Sequence, residues 1–119
     1  MNTKKIIIVF AVIFLSIVSL SGCNKVYHVT RVIDGDTIEI DSGERIRLHN
    51  IDTPEIDEQG YGEAKKMLIN LVMDKDVSIV KYYQDDYNRT VGDVYLDNIC
   101  INQVMIDSGL AKIWNYQRR

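Results

Sequence analysis

Residues 25–51 read KVYHVTRVIDGDTIEIDSGERIRLHNI, and this stretch decides the fold. It is rich in β-branched and aromatic residues, and its apolar and polar positions alternate, so that Ile46 and Leu48 face away from Arg47. Alternation with a period of two is typical of half-buried strands, and Asp-Gly and Ser-Gly pairs are typical of tight turns. The stretch therefore predicts three successive strands, over residues 25–33, 37–41 and 44–51.

Beyond residue 60 the spacing of apolar residues changes from two to three and four. An amphipathic helix is predicted there, after a polar loop, because one helical face would carry Ala64, Met67, Leu68, Leu71 and Val72. Two more strands are predicted over residues 76–83 and 90–96. A short second helix is predicted from Ile101, Val104 and Met105, with Gly109 at its C-terminal end.

The predicted order of elements is βββαββα, followed by an extended or irregular tail over residues 110–116. This order defines an α+β domain, and five short strands of this kind can close into a small barrel of the oligonucleotide/oligosaccharide-binding (OB) type. The pattern alone is compatible with several α+β folds. At 119 residues the chain has room for one compact domain.

The first 22 residues are interpreted as a targeting segment. Lys4 and Lys5 form a basic start, residues 6–20 carry no charge, and Leu20-Ser21-Gly22-Cys23 resembles a bacterial lipobox. We therefore expect a lipoprotein signal peptide over residues 1–22, lipidation at Cys23, and one domain over residues 23–119. An ordinary secretory signal and an uncleaved membrane anchor are the alternatives. The expected location is extracytoplasmic, lipid-anchored to a bacterial cell membrane or secreted.

Removal of this segment would change the formal net charge from −3 to −5, because it takes away two lysines and no acidic residue. Affinity for a phosphate backbone comes largely from Lys and Arg, so a nucleic-acid-binding protein of this charge needs help from a bound cation. No disulfide framework or zinc site is evident. Cys100 is expected in the core, and His28 and His49 are expected to be structural or surface residues.

Four short motifs carry the chemistry: Asp34-Gly35-Asp36-Thr37, the single Arg47, Asp52-Thr53-Pro54-Glu55, and Tyr87-Asn88-Arg89. Each motif is weak alone, since Asp-Gly is a common turn. In this order and at this spacing they resemble the signature of the thermonuclease (staphylococcal nuclease-like) family, and the resemblance extends from about Tyr27 to residues 108–112. It implies a five-stranded OB-type barrel with two helices.

The resemblance also implies a calcium site. Its ligands would be the carboxylates of Asp36 and Asp52 and the main-chain carbonyl of Thr53, with Asp34 as a nearby acid. Calcium takes six to eight oxygen ligands, which carboxylates, carbonyls and water can supply. Asp36 starts the second predicted strand and Asp52 follows the third, and adjacent antiparallel strands can bring such positions together.

The same resemblance implies catalytic roles for three residues. Glu55, on a loop stiffened by Pro54, would be the general base that activates or orients water. Arg47 and Arg89 would stabilise the negative charge that builds up on the phosphate oxygens, because a guanidinium group offers paired N–H donors. Tyr87 would contact the phosphate or sugar of the substrate.

These assignments together predict a monomeric, calcium-dependent endonuclease. It would act on DNA and RNA with little sequence preference, and the family resemblance implies cleavage that leaves 3′-phosphates. One rival interpretation is a non-catalytic OB-fold lipoprotein that binds nucleic acid or peptide in the same groove, and another is a structural lipoprotein with a vestigial site. The presence of both arginines and the glutamate favours the enzyme.

The sequence departs from the family pattern in several places. Asp57 and Glu58 stand where the archetypal secreted nuclease has lysines, and the acidic pair Asp85-Asp86 lies beside Arg89, so substrate approach is expected to be weak and salt-sensitive. Asn88 replaces the usual glycine, which asparagine's tolerance of left-handed backbone permits.

The chain ends at Arg119, before the archetype's last helix, so marginal stability is expected. The aromatic residues that could stack on bases or simply pack are Tyr82, Tyr83, Trp114 and Tyr116.

Overall fold

The structure is a computed structural model that describes residues 25–115. The predicted signal peptide over residues 1–22, the predicted lipidation at Cys23 and the side chain of Tyr116 lie outside the described residues. Within residues 25–115, no helix combines the length and the apolar character needed to cross a membrane.

The described part of the chain contains eight strands and two helices. The strands are β1 (Tyr27–Asp34), β2 (Thr37–Ile40), β3 (Arg45–Leu48), β4 (Ile51–Asp52), β5 (Asp76–Gln84), β6 (Thr90–Leu96), β7 (Ile99–Cys100) and β8 (Lys112–Ile113). The helices are α1 (Tyr61–Val72), between β4 and β5, and α2 (Ile101–Asp107), between β7 and β8.

Five of these strands close into a barrel. β1 pairs antiparallel with β2 and with β5, β2 pairs antiparallel with β3, and β5 pairs antiparallel with β6. The ring closes where β3 pairs in parallel with β6, which sets Arg47 opposite Val91. The α+β fold with an OB-type barrel and two helices, which the sequence predicts, is therefore confirmed.

The predicted third strand is wrong at its C-terminal end. The sequence predicts one strand over residues 44–51, whereas β3 ends at Leu48, a turn over His49 and Asn50 follows, and β4 begins at Ile51. Asn50 has a φ of 61°, a left-handed conformation that asparagine tolerates but that a strand cannot continue through. After this break β4 pairs with β8 instead of following β3 along the barrel.

Helix α1 closes one side of the barrel. Its buried residues Ala64, Leu68 and Val72 recur every four positions and therefore lie on one face of the helix. The expected tail over residues 110–116 contains the short strand β8. Cys100 is half-buried at the start of α2, so its expected place in the core is wrong.

Candidate active site

A cleft of about 490 Å³ opens where β3, β4 and the loop between β5 and β6 meet. Five of the predicted site residues line it: Arg47, Asp52, Glu55, Tyr87 and Arg89. Asp36 and Thr53, two of the predicted metal ligands, are buried beside the cleft and do not form its wall. The fold thus brings the predicted catalytic residues from three separate segments to one space.

The turn over residues 34–36 fixes the carboxylate of Asp36. Its Oδ1 accepts a hydrogen bond from the Thr37 hydroxyl at 3.0 Å, and its Oδ2 accepts from the Thr53 hydroxyl at 3.1 Å and the Thr53 N–H at 3.3 Å. The backbone N–H of Asp36 donates to Asp34 Oδ1 at 3.1 Å. A buried carboxylate with this many donors is held in one orientation.

Gly35 allows this turn to approach both α1 and Thr53. A Cβ atom on Gly35 would lie 2.7 Å from the Cβ of Ala64 and 2.8 Å from the Oγ1 of Thr53. Non-bonded carbon atoms normally lie about 3.5–4.0 Å apart, so no larger residue fits without movement. A glycine at position 35 therefore permits the close approach of the turn to Thr53 and α1.

Arg47 lies between two of the predicted metal ligands. Its Nη2 is 3.3 Å from Asp36 Oδ2 and 3.5 Å from Asp52 Oδ1, and its Nη1 donates to the carbonyl of Leu48 at 2.7 Å. Because one nitrogen reaches both carboxylates, these carboxylates face a common space. One arginine cannot neutralise two acids, so the pair retains negative charge that a cation would balance.

Asp34 adds a third acid next to this pair. Burial raises the pKa of its carboxyl to about 6, and the hydrogen bond and negative charge of Asp36 act in the same direction. Two carboxyl groups this close disfavour simultaneous ionisation. Asp34 is thus placed as the nearby acid that the sequence predicts.

Glu55 lies on an exposed loop that is ordered by its own backbone. The Glu55 carbonyl accepts a hydrogen bond from the N–H of Glu58 at 2.9 Å, and the Glu55 N–H donates to Glu58 Oε1 at 3.2 Å. Both bonds use backbone groups of Glu55, so its carboxylate is not engaged by them, and the residue lines the cleft. Asp57 and Glu58, expected to weaken substrate approach, lie in the same loop but are not part of the cleft wall.

The turn that carries Arg89 is organised by Asp85. Asp85 Oδ2 accepts from Arg89 Nε at 2.8 Å, while Oδ1 accepts from the N–H groups of Arg89 at 2.9 Å and Tyr87 at 3.0 Å. Although partial burial opposes it, hydrogen bonds from the backbone and side chain of Arg89 hold the pKa of the Asp85 carboxyl below its ordinary value. Asn88 has a φ of 61°, the left-handed conformation expected from the sequence.

This arrangement changes the interpretation of Asp85. The sequence treats Asp85 only as an acid that repels the substrate, whereas the structure shows that it positions the arginine. The guanidinium carbon of Arg89 lies 5.3 Å from the centre of the Tyr87 ring, and the Tyr87 side chain is exposed. Arginine and tyrosine therefore form one projecting edge of the cleft.

The donor set fits a hard cation. The carboxylates of Asp36 and Asp52 both lie against Arg47 Nη2, and they offer oxygen atoms, which calcium prefers; Thr53 contacts Asp36 through its N–H and its hydroxyl. Within residues 25–115, no three His, Cys, Asp or Glu side chains are grouped to hold a metal ion by themselves. A cation here would therefore need carbonyl, water or phosphate oxygens to complete its shell.

Sequence reasoning missed a polar network behind the cleft. The buried side chain of Asn102 accepts from the Val94 N–H at 3.0 Å and donates to the His49 carbonyl at 3.0 Å and to Asp93 at 3.1 Å. The hydroxyl of Tyr82 donates to Asp93 at 2.6 Å. An asparagine among the apolar residues of α2 was the only signal in the sequence. Of the aromatic residues named from the sequence, Tyr83 and Trp114 line the cleft.

Comparison with known proteins gives relatives of one kind. An uncharacterized endonuclease of Escherichia coli O157:H7 is 44% identical over 96 residues, which cover 76% of this chain and 61% of that protein. An uncharacterized endonuclease of Haemophilus influenzae is 32% identical over 126 aligned positions, which cover 99% of this chain and 68% of that protein. A probable staphylococcal-like nuclease of Oryza sativa subsp. japonica is 41% identical over 73 residues, 60% of this chain and 21% of that protein.

The chain spans about three fifths of the length of the Escherichia coli relative. Residues 45–119, more than half of the chain, match the model of a protein family described as staphylococcal nuclease homologue. The matched residues include Arg47, Asp52, Glu55 and Arg89, while Asp36 precedes them. The fold, the cleft and this match lead to one conclusion: the chain belongs to the staphylococcal nuclease homologue family.

Proposed function

We propose that the chain is a calcium-dependent endonuclease that hydrolyses phosphodiester bonds of DNA and RNA with little sequence preference. One observation carries the proposal: Arg47, Glu55 and Arg89, from three separate segments, line a single cleft. The relatives that are named endonucleases support it. Little sequence preference is expected because the cleft offers charges and aromatic rings, which contact any nucleotide.

In this proposal Glu55 is the general base. Its carboxylate takes a proton from the water whose oxygen attacks phosphorus, a step that requires only a carboxylate within hydrogen-bonding distance of that water. The new P–O bond forms as the P–O5′ bond breaks. The products are a 3′-phosphate and a 5′-hydroxyl, which acquires its proton from solvent.

Arg47 and Arg89 stabilise the charge that develops during this attack. Arg89 binds Asp85 through Nε, so its two terminal nitrogens remain for the non-bridging oxygens of the phosphate. Arg47 reaches the same cleft while one of its nitrogens stays bonded to the Leu48 carbonyl. Fixed donors of this kind need little reorganisation when charge builds up, which is the basis of electrostatic catalysis.

The residues that would hold calcium are Asp36, Asp52 and the main-chain carbonyl of Thr53. When bound, calcium would supply positive charge that offsets the phosphate and the acidic walls of the cleft. Arg47 contacts both carboxylates, so it would also keep them correctly spaced. Tyr87, exposed beside Arg89, would contact the phosphate or sugar.

The location of the protein is also a proposal. The lipobox-like Leu20-Ser21-Gly22-Cys23 supports an extracytoplasmic protein that is anchored to a bacterial membrane by lipid on Cys23. The protein is also proposed to be a monomer.

A cleavage assay with a matched pair of arginine variants tests the function. The full-length protein is incubated with single-stranded DNA or RNA in calcium or in a chelator, and cleavage is expected only in calcium. Arg47→Lys should lower the rate by about 100-fold or more, since a paired donor is lost at the phosphate. Arg45→Lys on the same strand, whose exposed side chain is paired with Glu39, should leave the rate unchanged.

The same assay can also contradict the proposed nuclease function. A folded protein that cleaves neither polymer in calcium would overturn the proposed activity. If that protein still bound the oligonucleotides, the result would favour the rival non-catalytic binding module.

A further inference from the structure

His49 occupies a fixed position in the cleft. It follows Arg47 by two residues and lines the same cavity. Its backbone N–H donates to the Gly92 carbonyl at 2.9 Å, and its carbonyl accepts from Asn102 at 3.0 Å. Both backbone groups of His49 are therefore bonded to the core, although it lies in a turn.

The imidazole ring packs against Tyr82 and lies near Asp93. Its centre lies 4.5 Å from the centre of the Tyr82 ring, and its Nδ1 lies 3.7 Å from Asp93 Oδ1. Asp93 is in turn fixed by the hydroxyl of Tyr82 and the amide of Asn102. Within residues 25–115, neither ring nitrogen forms a hydrogen bond, so Nε2, the nitrogen farther from Asp93, is unpaired.

The charges of the residues that line the cleft bear on what the Nε2 of His49 can bind. Four acids line the cleft: Asp52, Glu55, Asp85 and Asp86. Arg47 and Arg89 each use part of the guanidinium group to pair with carboxylates, whereas the Nε2 of His49 is unpaired and can donate a hydrogen bond to an incoming anion. Asp93 Oδ1 lies beyond hydrogen-bonding distance of Nδ1, so packing against Tyr82 is the contact that positions the ring.

We propose that His49 binds the phosphate next to the one that is cleaved. The inference rests on the proposed nuclease function. His49 lies in the turn that follows β3, two residues beyond Arg47 and at most roughly 7 Å from it along the chain, so it would meet a phosphate adjacent to the one that Arg47 contacts. Tyr82, Asp93 and Asn102 position His49, which makes it a third phosphate-binding residue in a cleft with acidic walls.

Binding of a short single-stranded DNA tests this contact directly. A fluorescent oligonucleotide is titrated in calcium with full-length protein in the Glu55→Gln background, and electrophoresis verifies that it stays intact. A series of oligonucleotides carries one neutral methylphosphonate linkage at successive positions. Each is compared between the parent protein and the His49→Gln variant, with thermal melting as the check of folding.

The parent protein should lose about tenfold in affinity when one particular linkage near the cleavage site is made neutral, since one charge-assisted hydrogen bond is lost. His49→Gln should bind the unmodified oligonucleotide about tenfold more weakly and show no further loss at that linkage. Asp93→Asn should give a smaller loss at the same linkage. His28→Gln is the matched control, because His28 pairs with Asp74 and Asp76 at the far end of β5, and its affinity should be unchanged.

Two results would overturn the contact. The first is that His49→Gln binds every oligonucleotide with the affinity of the parent protein. The second is that each neutral linkage lowers the affinity of the parent protein and of the variant equally. Failure of the proposed nuclease function can be distinguished from failure of this contact. If the wild-type protein cleaves no oligonucleotide but still loses affinity at one particular neutral linkage, the phosphate contact stands and the nuclease function does not. Protein that binds none of the oligonucleotides overturns both.

Discussion

Replacement of Gly35 by alanine should damage stability and the proposed calcium site together. The added Cβ would lie 2.7 Å from the Cβ of Ala64, so the turn and α1 would have to separate by about 0.8 Å to reach an ordinary carbon contact. Overpacking of this kind lowers the free energy of unfolding by about 1–3 kcal/mol. Alanine also restricts the unfolded chain more than glycine does, which raises the free energy of unfolding by about 0.4–1 kcal/mol. We expect a net loss of about 1–2 kcal/mol in the free energy of unfolding.

The same movement should weaken the contact between Asp36 and Thr53. The Thr53 N–H to Asp36 Oδ2 distance is 3.3 Å, so a separation of several tenths of an ångström would break that hydrogen bond. Urea unfolding of the full-length chain measures the stability, and a calcium titration followed by thermal melting measures the metal response. In Gly35→Ala, the free energy of unfolding and the rise in melting temperature on adding calcium should both be smaller than in the wild-type protein.

A second substitution isolates the cause. Ala64→Gly alone should cost about 1 kcal/mol from helix propensity and about 0.8 kcal/mol from the lost methyl group. The double variant loses the clash with Ala64 but keeps the one with Thr53, so the sum of the two single losses should exceed the loss measured for the double variant by about 1 kcal/mol. Unchanged stability of Gly35→Ala, or strictly additive losses, would refute the close-approach reasoning.

Three other substitutions probe separate parts of the chain. Asp85→Asn should lower the cleavage rate about tenfold with a stability loss of about 1 kcal/mol, because the turn loses the charge that orients Arg89; an unchanged rate would contradict this role. Asp76 and Asp74 raise the pKa of His28. Protonated His28 therefore stabilises the fold at pH values below its ordinary pKa, and this stabilisation is lost as the pH rises through the raised pKa. In urea unfolding, His28→Gln should remove this pH dependence of the free energy of unfolding. The pKa of Asp34 is raised from 3.8 to about 6, so stability should fall as the pH rises from about 4 to about 6, and Asp34→Asn should flatten that part of the curve.

Local pattern predicts much of this molecule. Alternation places Ile46 and Leu48 in the core, and α1 follows from the spacing of Ala64, Leu68 and Val72. Five residues of the cleft were also predictable, namely Arg47, Asp52, Glu55, Tyr87 and Arg89, because their motifs resemble those of a known family. These features depend on neighbours close in sequence or on a family signature that spans the domain.

Features set by distant contacts could not be predicted in this way. The break after β3 depends on Asn50 adopting a left-handed conformation, and alternation alone gives no sign of it. The role of Asp85 depends on a turn that folds back on its carboxylate, whereas in the sequence it is one more acid. His49 is isolated in the sequence, and only the barrel brings Tyr82 and Asp93 to its ring.

The proposed catalytic role of Glu55 gives the most direct test of the central claim. Cleavage of a single-stranded oligonucleotide is measured in saturating calcium with excess enzyme, for the wild-type chain, Glu55→Gln and Glu63→Gln. Glu63 is an exposed glutamate in the first turn of α1, and its variant should cleave at the wild-type rate. Glu55→Gln should be slower by about 100-fold or more with its affinity for the oligonucleotide retained. Equal rates for all three proteins, or no cleavage by the wild-type chain, would contradict the account.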